Sequence, residues 1–157
     1  MSDELLLELA EPEDLPALVA LERAAYSNPW SERSLREAVC NPRRFQALVL
    51  RSPEARAASD RGVRAYCIVQ RVADELHVHN VVVAGALRRR GLARRLMLHV
   101  IEQARCAGAQ LALLEVCEGN LAARALYESL GFLAVGHRRG YYTRPHEDAV
   151  LLRKALS

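Results

Sequence analysis

The chain has 157 residues, of which 51% are hydrophobic and 26% are charged, a balance typical of one globular domain with its own core. Its formal net charge of +3 is too small to indicate a nucleic-acid-binding protein by itself. The N-terminus lacks a secretory signal, and no apolar run approaches the ~20 residues of a membrane-spanning helix, so we predict a soluble, cytoplasmic protein without a membrane partner.

The first half of the chain predicts two helices and an antiparallel meander. Alternating apolar residues predict the strands, and an apolar stripe at helical spacing predicts the first helix. Ser31 can cap the second helix. A polar stretch at residues 52–62 predicts a loop. The predicted strands span residues 5–9, 45–50, 64–72 and 76–83, and the helices span residues 14–25 and 31–39.

The second half predicts a strand–helix–strand unit, whose two strands are parallel. Apolar residues at Leu92, Leu96 and Val100 form the stripe of a helix over residues 91–105, and a leucine-rich strand follows at 110–117. Asn120 can cap a further helix that Gly131 ends. Strands at 132–139 and 149–155 close the chain. We therefore predict one α/β domain over residues 1–157, with a mixed sheet of about seven strands flanked by about four helices.

A candidate anion-binding site lies where the helix opens after the strand ending at Val83. The first turn of a helix has unsatisfied backbone N–H groups and a partial positive charge, which together stabilise an anion. Gly91 has no Cβ and lets a ligand approach the backbone closely. Arginines crowd the same point, namely Arg88, Arg89, Arg90 and Arg94. Two alternatives remain open on spacing alone, a solvated basic helix end and a nucleic-acid patch.

Two side chains are candidates for proton transfer. Glu115 lies among leucines in an apolar strand, and apolar surroundings suit a carboxylate to act as a general base. A glutamate paired with a neighbouring arginine is an equally good interpretation. Tyr127 lies beside the small Ala123 on the following helix and could donate a proton to a leaving group, although a core tyrosine with a satisfied hydroxyl fits its position too.

The segment Arg88-Arg89-Arg90-Gly91-Leu92-Ala93 resembles the Q/R-x-x-G-x-G/A signature of the GCN5-related N-acetyltransferases, the GNAT family. The resemblance implies the GNAT fold and acetyl-CoA as co-substrate, with no metal. It implies that the loop amides hold the coenzyme A pyrophosphate and that the preceding strand offers backbone groups to the pantetheine arm. The residues implied to bind coenzyme A are Val81, Val82, Val83, Arg88, Arg89, Arg90, Gly91, Leu92, Ala93, Arg94 and Asn120.

The run LLEVCEGNLAARALYESLGF is similar to the corresponding block of the bacterial ribosomal-protein alanine N-acetyltransferases, the Rim-type branch of that family. The segments SNPWSE and RRGYY with EDA resemble the same branch. The resemblance makes Glu115 the proton acceptor and Tyr127 the proton donor. It implies transfer to the N-terminal alanine of a small-subunit ribosomal protein, without direct contact to nucleic acid. The chain departs from the branch at Ala93, at Cys117-Glu118-Gly119 and in the longer 52–62 segment.

Aromatic residues could form the walls of a peptide groove, although each could equally belong to the core. The residues concerned are Trp30, Tyr141 and Tyr142. His77 and His79 alternate on one strand but have no third metal ligand nearby. The four cysteines lack C-x-x-C spacing, which favours free buried thiols over zinc, and a covalent acetyl-Cys117 intermediate is the less favoured alternative to direct transfer. The rival functions are acetylation of a lysine or a small-molecule amine, and a non-enzymatic domain that binds coenzyme A or nucleic acid.

Overall fold

The computed structural model describes residues 4–143 and 146–156, except for the side chains of residues 142, 143 and 146. Seven strands form one mixed sheet in the order β1-β2-β3-β4-β5-β7-β6. The strands are β1 (Leu6–Leu9), β2 (Gln46–Arg51), β3 (Val63–Val72), β4 (Glu75–Val83), β5 (Leu111–Cys117), β6 (Leu133–Thr143) and β7 (His146–Ala155). The helices are α1 (Leu15–Ala25), α2 (Glu32–Cys40), α3 (Leu92–Cys106) and α4 (Leu121–Ser129).

These elements confirm the predicted fold class, including the meander over β1–β4 and the parallel β4–α3–β5 unit. Ser31 and Asn120 cap α2 and α4 as predicted, because each side chain accepts a hydrogen bond from the backbone of the first helical turn. The closing hairpin differs from the prediction. β6 continues to Thr143 and β7 already begins at His146, so each strand is several residues longer than predicted. A shift in the pairing register between Arg138 and Tyr142 lets the two strands stay paired beyond the polar RRG stretch. The described helices include none that is long and apolar enough to cross a bilayer.

The sheet is covered on both faces. α3 and α4 pack on one face through a cluster that includes Leu96, Val100 and Tyr127, and α1 and α2 pack on the other through Leu18 and Leu35. A β-bulge opposite Ile68 and Val69 inserts His79 into β4. Leu76 and Val78 therefore face α3 before the bulge, while Val82 faces α1 after it. The bulge thus reverses which side chains of β4 face each layer.

The segment at residues 52–62 is a loop, as the sequence predicts, apart from one short 3₁₀ turn. It begins with a 3₁₀ turn at Pro53–Ala55 and is tied to the start of α1 by a buried ionic cluster. The carboxylate of Asp14 accepts hydrogen bonds from Arg51 Nη2 at 2.8 Å and from Arg61 Nε at 2.9 Å, and both Asp14 and Arg51 are fully buried. The guanidinium of Arg51 also donates to the Arg61 carbonyl at 2.8 Å. Burial removes the Asp14 carboxylate and the Arg51 guanidinium from water, and these hydrogen bonds offset the loss of hydration.

We expect the Asp14 cluster to make folding stability depend on acid pH. Burial acts to raise the pKa of Asp14, but hydrogen bonds from Arg51, the Glu11 backbone and Arg61 outweigh it and hold the pKa at about 2, below the usual 3.8. A depressed carboxyl pKa stabilises the fold above the unfolded-state pKa, and the stabilisation of about 2 kcal/mol is lost as the pH falls from about 4 to about 2. Urea denaturation between pH 6 and pH 2 measures this loss. Asp14→Asn should show a shallower acid decline, and an unchanged slope would contradict the assignment.

Candidate functional site

The candidate site is a gap between β4 and β5. The two strands pair only from Glu75–Leu111 to Val78–Leu114, so β4 beyond Val78 has no strand partner on this side. The Ala84 amide donates a hydrogen bond to the Arg64 carbonyl on β3. In an antiparallel pair every second residue points its backbone N–H and C=O groups at the neighbouring strand, so the backbone groups of Val82 also point toward β3. The backbone groups of Val81 and Val83 consequently point into the gap. Of the three predicted valines, only these two offer backbone hydrogen bonds there.

The predicted anion site lies at the end of this gap. Gly91 is the N-cap of α3 with a φ of 78°, and Arg89 has a φ of 65°, so the chain turns sharply twice before the helix begins. The first α3 amide with a helical partner is that of Arg95, which bonds Gly91 O at 3.0 Å. The amides of Leu92, Ala93 and Arg94 precede it and point out of the helix, where they can bind an oxyanion.

The arginines around the anion site divide into two groups. Arg88, Arg89 and Arg90 are exposed on the turn itself. Arg94, by contrast, donates to Ser129 Oγ on α4 at 2.9 Å, and Arg95 donates to the Leu5 carbonyl at 2.8 Å. The sequence does not distinguish these roles, because all five side chains are of one type. The first group supplies free positive potential, and the second ties α3 to its neighbours.

Helix α4 packs on the α3 side of the sheet through Tyr127, and Asn120 is its N-cap. The Tyr127 side chain is buried and packs edge to face on Phe132 with 5.9 Å between ring centroids. Burial raises the pKa of Tyr127 to about 12, so the phenol keeps its proton near neutrality. Asn120 Oδ1 accepts from the Ala123 amide at 3.2 Å, so its predicted contact to a cofactor has to share this capping role. Arg124, which no motif in the sequence marks, donates to the Glu118 carbonyl beside the same helix start.

Glu115 lies on the opposite face of the sheet, one residue beyond the last β4–β5 pair. Its side chain is 27% exposed, so it is not the buried carboxylate that its apolar strand predicts. Oε1 pairs with Arg138 Nη2 of β6 at 3.1 Å. The ion pair with an arginine, one of the two interpretations that the sequence allows, is therefore present, and Glu115 also lines the cleft. Glu115 and Tyr127 lie on opposite faces of the sheet.

A cleft of about 510 Å³ opens over Glu115. Two of the predicted wall residues, Trp30 and Tyr141, line it together with His77 and His79. Gly140, with a φ of 61°, donates its amide to Asp148 and allows the irregularity that carries Tyr141 toward the carboxylate. Burial, the charge of Glu115 and a hydrogen bond to it raise the pKa of Tyr141. The third predicted wall residue, Tyr142, has its side chain outside the described residues.

The two histidines of β4 pack with aromatic residues. The His79 ring lies 6.0 Å from Trp30 and 5.8 Å from Phe45, measured between centroids, and its Nε2 contacts Gln70 Oε1 at 2.9 Å. Burial, followed by the nearby His77 and Arg44, lowers the pKa of His79 and favours its neutral form. The part of the chain that the structure describes contains no group of three His, Cys, Asp or Glu side chains that could hold a metal ion.

Cys117 lies near the gap but is held in a hydrogen bond to the carboxylate of Glu147. Burial and this hydrogen bond raise the pKa of the Cys117 thiol, which opposes formation of the thiolate that a covalent route needs. The four cysteines are free, but only Cys67 is buried, so the expectation of buried thiols is wrong for the exposed Cys40 and Cys106. Both exposed thiols lie on the outer faces of helices, where their short side chains reach no core.

Comparison with protein-family models matches residues 15–132 to the acetyltransferase (GNAT) family. The curated relatives include the ribosomal protein bS18-alanine N-acetyltransferase of Salmonella typhimurium, which is 36% identical over 146 residues, covering 92% of this chain and 93% of that protein. The enzyme of the same name from Escherichia coli K12 is 36% identical over 149 residues, covering 94% of this chain and 95% of the relative.

Solved structures agree with these matches. The ribosomal-protein-S18-alanine N-acetyltransferase from Escherichia coli superimposes with a TM-score of 0.84 at 34% identity, over 98% of this chain and 94% of that chain. Arabidopsis thaliana NAA60 in complex with acetyl-CoA superimposes with a TM-score of 0.85 at 16% identity, over 96% of this chain and 98% of that one. At that identity the second match shows a shared fold.

Proposed function

This chain belongs to the GNAT family of acetyltransferases, and we propose that it transfers the acetyl group of acetyl-CoA to the N-terminal alanine of ribosomal protein bS18. The observation that carries the substrate proposal is the 36% identity to enzymes of that name over 92–94% of the chain. The gap between β4 and β5 supports the chemistry, because it joins an anion-binding turn to a carboxylate and a phenol. A cytoplasmic location follows from these substrates.

In the proposed complex the pyrophosphate of coenzyme A binds the free amides of Leu92, Ala93 and Arg94 at the start of α3. The exposed arginines of the turn add charge-assisted hydrogen bonds. From there the pantetheine arm extends along β4, whose Val81 and Val83 present backbone donors and acceptors in the gap. An amide in the gap polarises the thioester carbonyl.

The reaction needs a neutral amine, which attacks the thioester carbon as the carbon–sulfur bond breaks. An α-amino group has a pKa of about 7.7–8.0, against about 10.4 for lysine, so a carboxylate can readily supply its neutral form. Glu115 accepts the amine proton, directly or through water, and Tyr127 donates its proton to the departing thiolate of coenzyme A. Glu115 then releases its proton to solvent and Tyr127 regains one, which restores both side chains for the next turnover.

Matched peptides test this proposal directly. Peptides that begin with the N-terminal residues of bS18, with a free or a blocked α-amine and an internal lysine, are incubated with the protein and acetyl-CoA. We expect release of free thiol, with one acetyl group on the α-amine by mass spectrometry, only when that amine is free. Acetylation of the lysine in the blocked peptide would favour the lysine alternative. Absence of thiol release with every peptide would contradict the proposal.

We expect Gly91→Val to weaken acetyl-CoA binding by about tenfold or more, because a side chain at the first turn of α3 obstructs the approach of a phosphate. Gly108 is a matched control at the other end of α3. Both glycines have a left-handed φ, 78° and 95°, and an added Cβ at either meets no atom within 4 Å. Gly108→Val should therefore lose similar stability but keep acetyl-CoA affinity. Calorimetric titration of both variants measures the difference, and equal affinities would rule out the site.

A further inference from the structure

A buried polar cluster lies beneath the candidate cleft, and the proposed reaction does not use it. Glu22 on α1 is 1% exposed, and Tyr66 on β3 is fully buried against it. The Glu22 carboxylate accepts a hydrogen bond from the Tyr66 hydroxyl and a second from Asn80 Nδ2 at 2.7 Å. Burial and the Glu22 charge both raise the pKa of Tyr66, so its hydroxyl stays protonated as a donor.

Another donor to Glu22 comes from the loop of Trp30, a residue that lines the cleft. The backbone amide of Trp30, in the connection between α1 and α2, donates to Glu22 Oε1 at 3.0 Å. Trp30 lines the cleft over Glu115, and its ring also contacts His79 at the bulge of β4. One buried carboxylate thus binds the loop of Trp30 and the strand that forms one side of the gap.

Asn80 connects the same carboxylate to the bulge. It follows His79 directly and faces the α1 layer because the bulge has reversed the alternation of β4. The next residue, Val81, presents its backbone to the gap, where its carbonyl accepts from the Tyr26 hydroxyl at 3.0 Å. Tyr26 directly follows the last residue of α1. Glu22 and Tyr26 therefore both contact β4 just past its bulge.

We propose that Glu22 is a positioning residue that holds the Trp30 loop and the bulged segment of β4 in one fixed arrangement, so that the cleft is preformed for the first residues of a peptide. A buried carboxylate with three donors is costly to move, because each broken hydrogen bond leaves a polar group unsatisfied. The loop is therefore held to the sheet through a buried charge, although Trp30 itself is only half-buried. The peptide-binding part of this inference rests on the proposed function.

Trp30 provides a readout that does not depend on activity, because it is the only tryptophan in the chain. We expect Glu22→Ala to shift Trp30 fluorescence to longer wavelength and to raise the KM for the peptide by about tenfold or more, with acetyl-CoA affinity changed by less than about threefold. Asp14→Asn is the matched control, since it removes another buried, hydrogen-bonded carboxylate from the other end of the α1 region. It should lower Tm but leave Trp30 emission and the peptide KM unchanged.

A second variant keeps the test valid if Glu22→Ala does not fold. Glu22→Met, Tyr66→Phe and Asn80→Val together replace all three side chains of the cluster by apolar groups of similar size, which can be nearly neutral for stability. The Trp30 amide then has no carboxylate to bind, so the red-shifted emission and the raised KM should persist in a folded protein. Glu22→Gln should restore the wild-type Trp30 emission and peptide KM, because its Oε1 can still accept a hydrogen bond from the Trp30 amide.

The outcomes separate this inference from the proposed function. A folded triple variant with wild-type emission and wild-type peptide KM would overturn the positioning role of Glu22, even if the wild-type protein acetylates the peptide. A wild-type protein without acetyltransferase activity would overturn the proposed function, whereas the fluorescence of the variants would still report whether Glu22 holds the Trp30 loop. An emission shift of equal size in Asp14→Asn would also contradict the inference, because the effect would then follow from stability alone.

Discussion

Glu115→Gln is expected to lower kcat for peptide acetylation by about 10²- to 10⁴-fold, the usual contribution of a general base. Glutamine keeps the shape of the side chain and can still bond Tyr141, but it cannot accept the amine proton. Because Glu115 lies on the face of the sheet opposite α3, the acetyl-CoA affinity should stay within about threefold of wild type. Single-turnover kinetics and calorimetric titration give the two quantities separately.

Glu118→Gln is the matched control for this prediction. Glu118 is a half-exposed glutamate just after β5, where it lies 3.8 Å from His137 and does not line the cleft. Its substitution should leave kcat unchanged. If Glu115→Gln retains wild-type turnover at every pH from 6 to 9, the proton acceptor lies elsewhere, and water would have to carry the amine proton away without this carboxylate.

Tyr127→Phe is expected to lower kcat by about 10²-fold or more, because the thiolate of coenzyme A then departs without a proton donor. The phenylalanine ring preserves the edge-to-face contact with Phe132, so the free energy of unfolding should change by less than about 1 kcal/mol. The pKa of about 12 that burial confers on Tyr127 predicts that the wild-type rate shows no loss from tyrosine ionisation below pH 10. Chemical denaturation and a pH–rate profile check both statements.

The expected result for Tyr127 separates catalysis from packing. A large fall in kcat with unchanged stability supports proton donation. Unchanged kcat would indicate that this residue is a core tyrosine, and equal losses of stability and activity would indicate that its hydroxyl supports the fold. Tyr141→Phe serves as a comparison, since that hydroxyl bonds Glu115 on the far face of the sheet and its loss should affect the peptide KM more than the release of coenzyme A.

Local patterns in the chain are sufficient to predict the helices and strands and their order. Short-range periodicity predicts the meander, the amphipathic α3 helix and the parallel unit around it, because each strand or helix buries one face that its own residues define. The caps at Ser31 and Asn120 and the left-handed Gly91 are also local, since each depends on hydrogen bonds or dihedral angles within a few residues. The family signature falls on this local turn, which explains why the start of α3 at Gly91 could be predicted.

The arrangement of the candidate site depends instead on contacts between distant parts of the chain. A bulge depends on pairing with β3, so the alternation of β4 did not reveal that His79 is the extra residue or that Asn80 turns inward toward Glu22. The partly exposed position of Glu115 and its pairing with Arg138 likewise depend on β6, and Arg138 lies more than twenty residues away along the chain. Long-range pairing leaves no short-range pattern, and for that reason the backbone of the turn before α3 was predictable whereas the walls of the cleft required the folded chain.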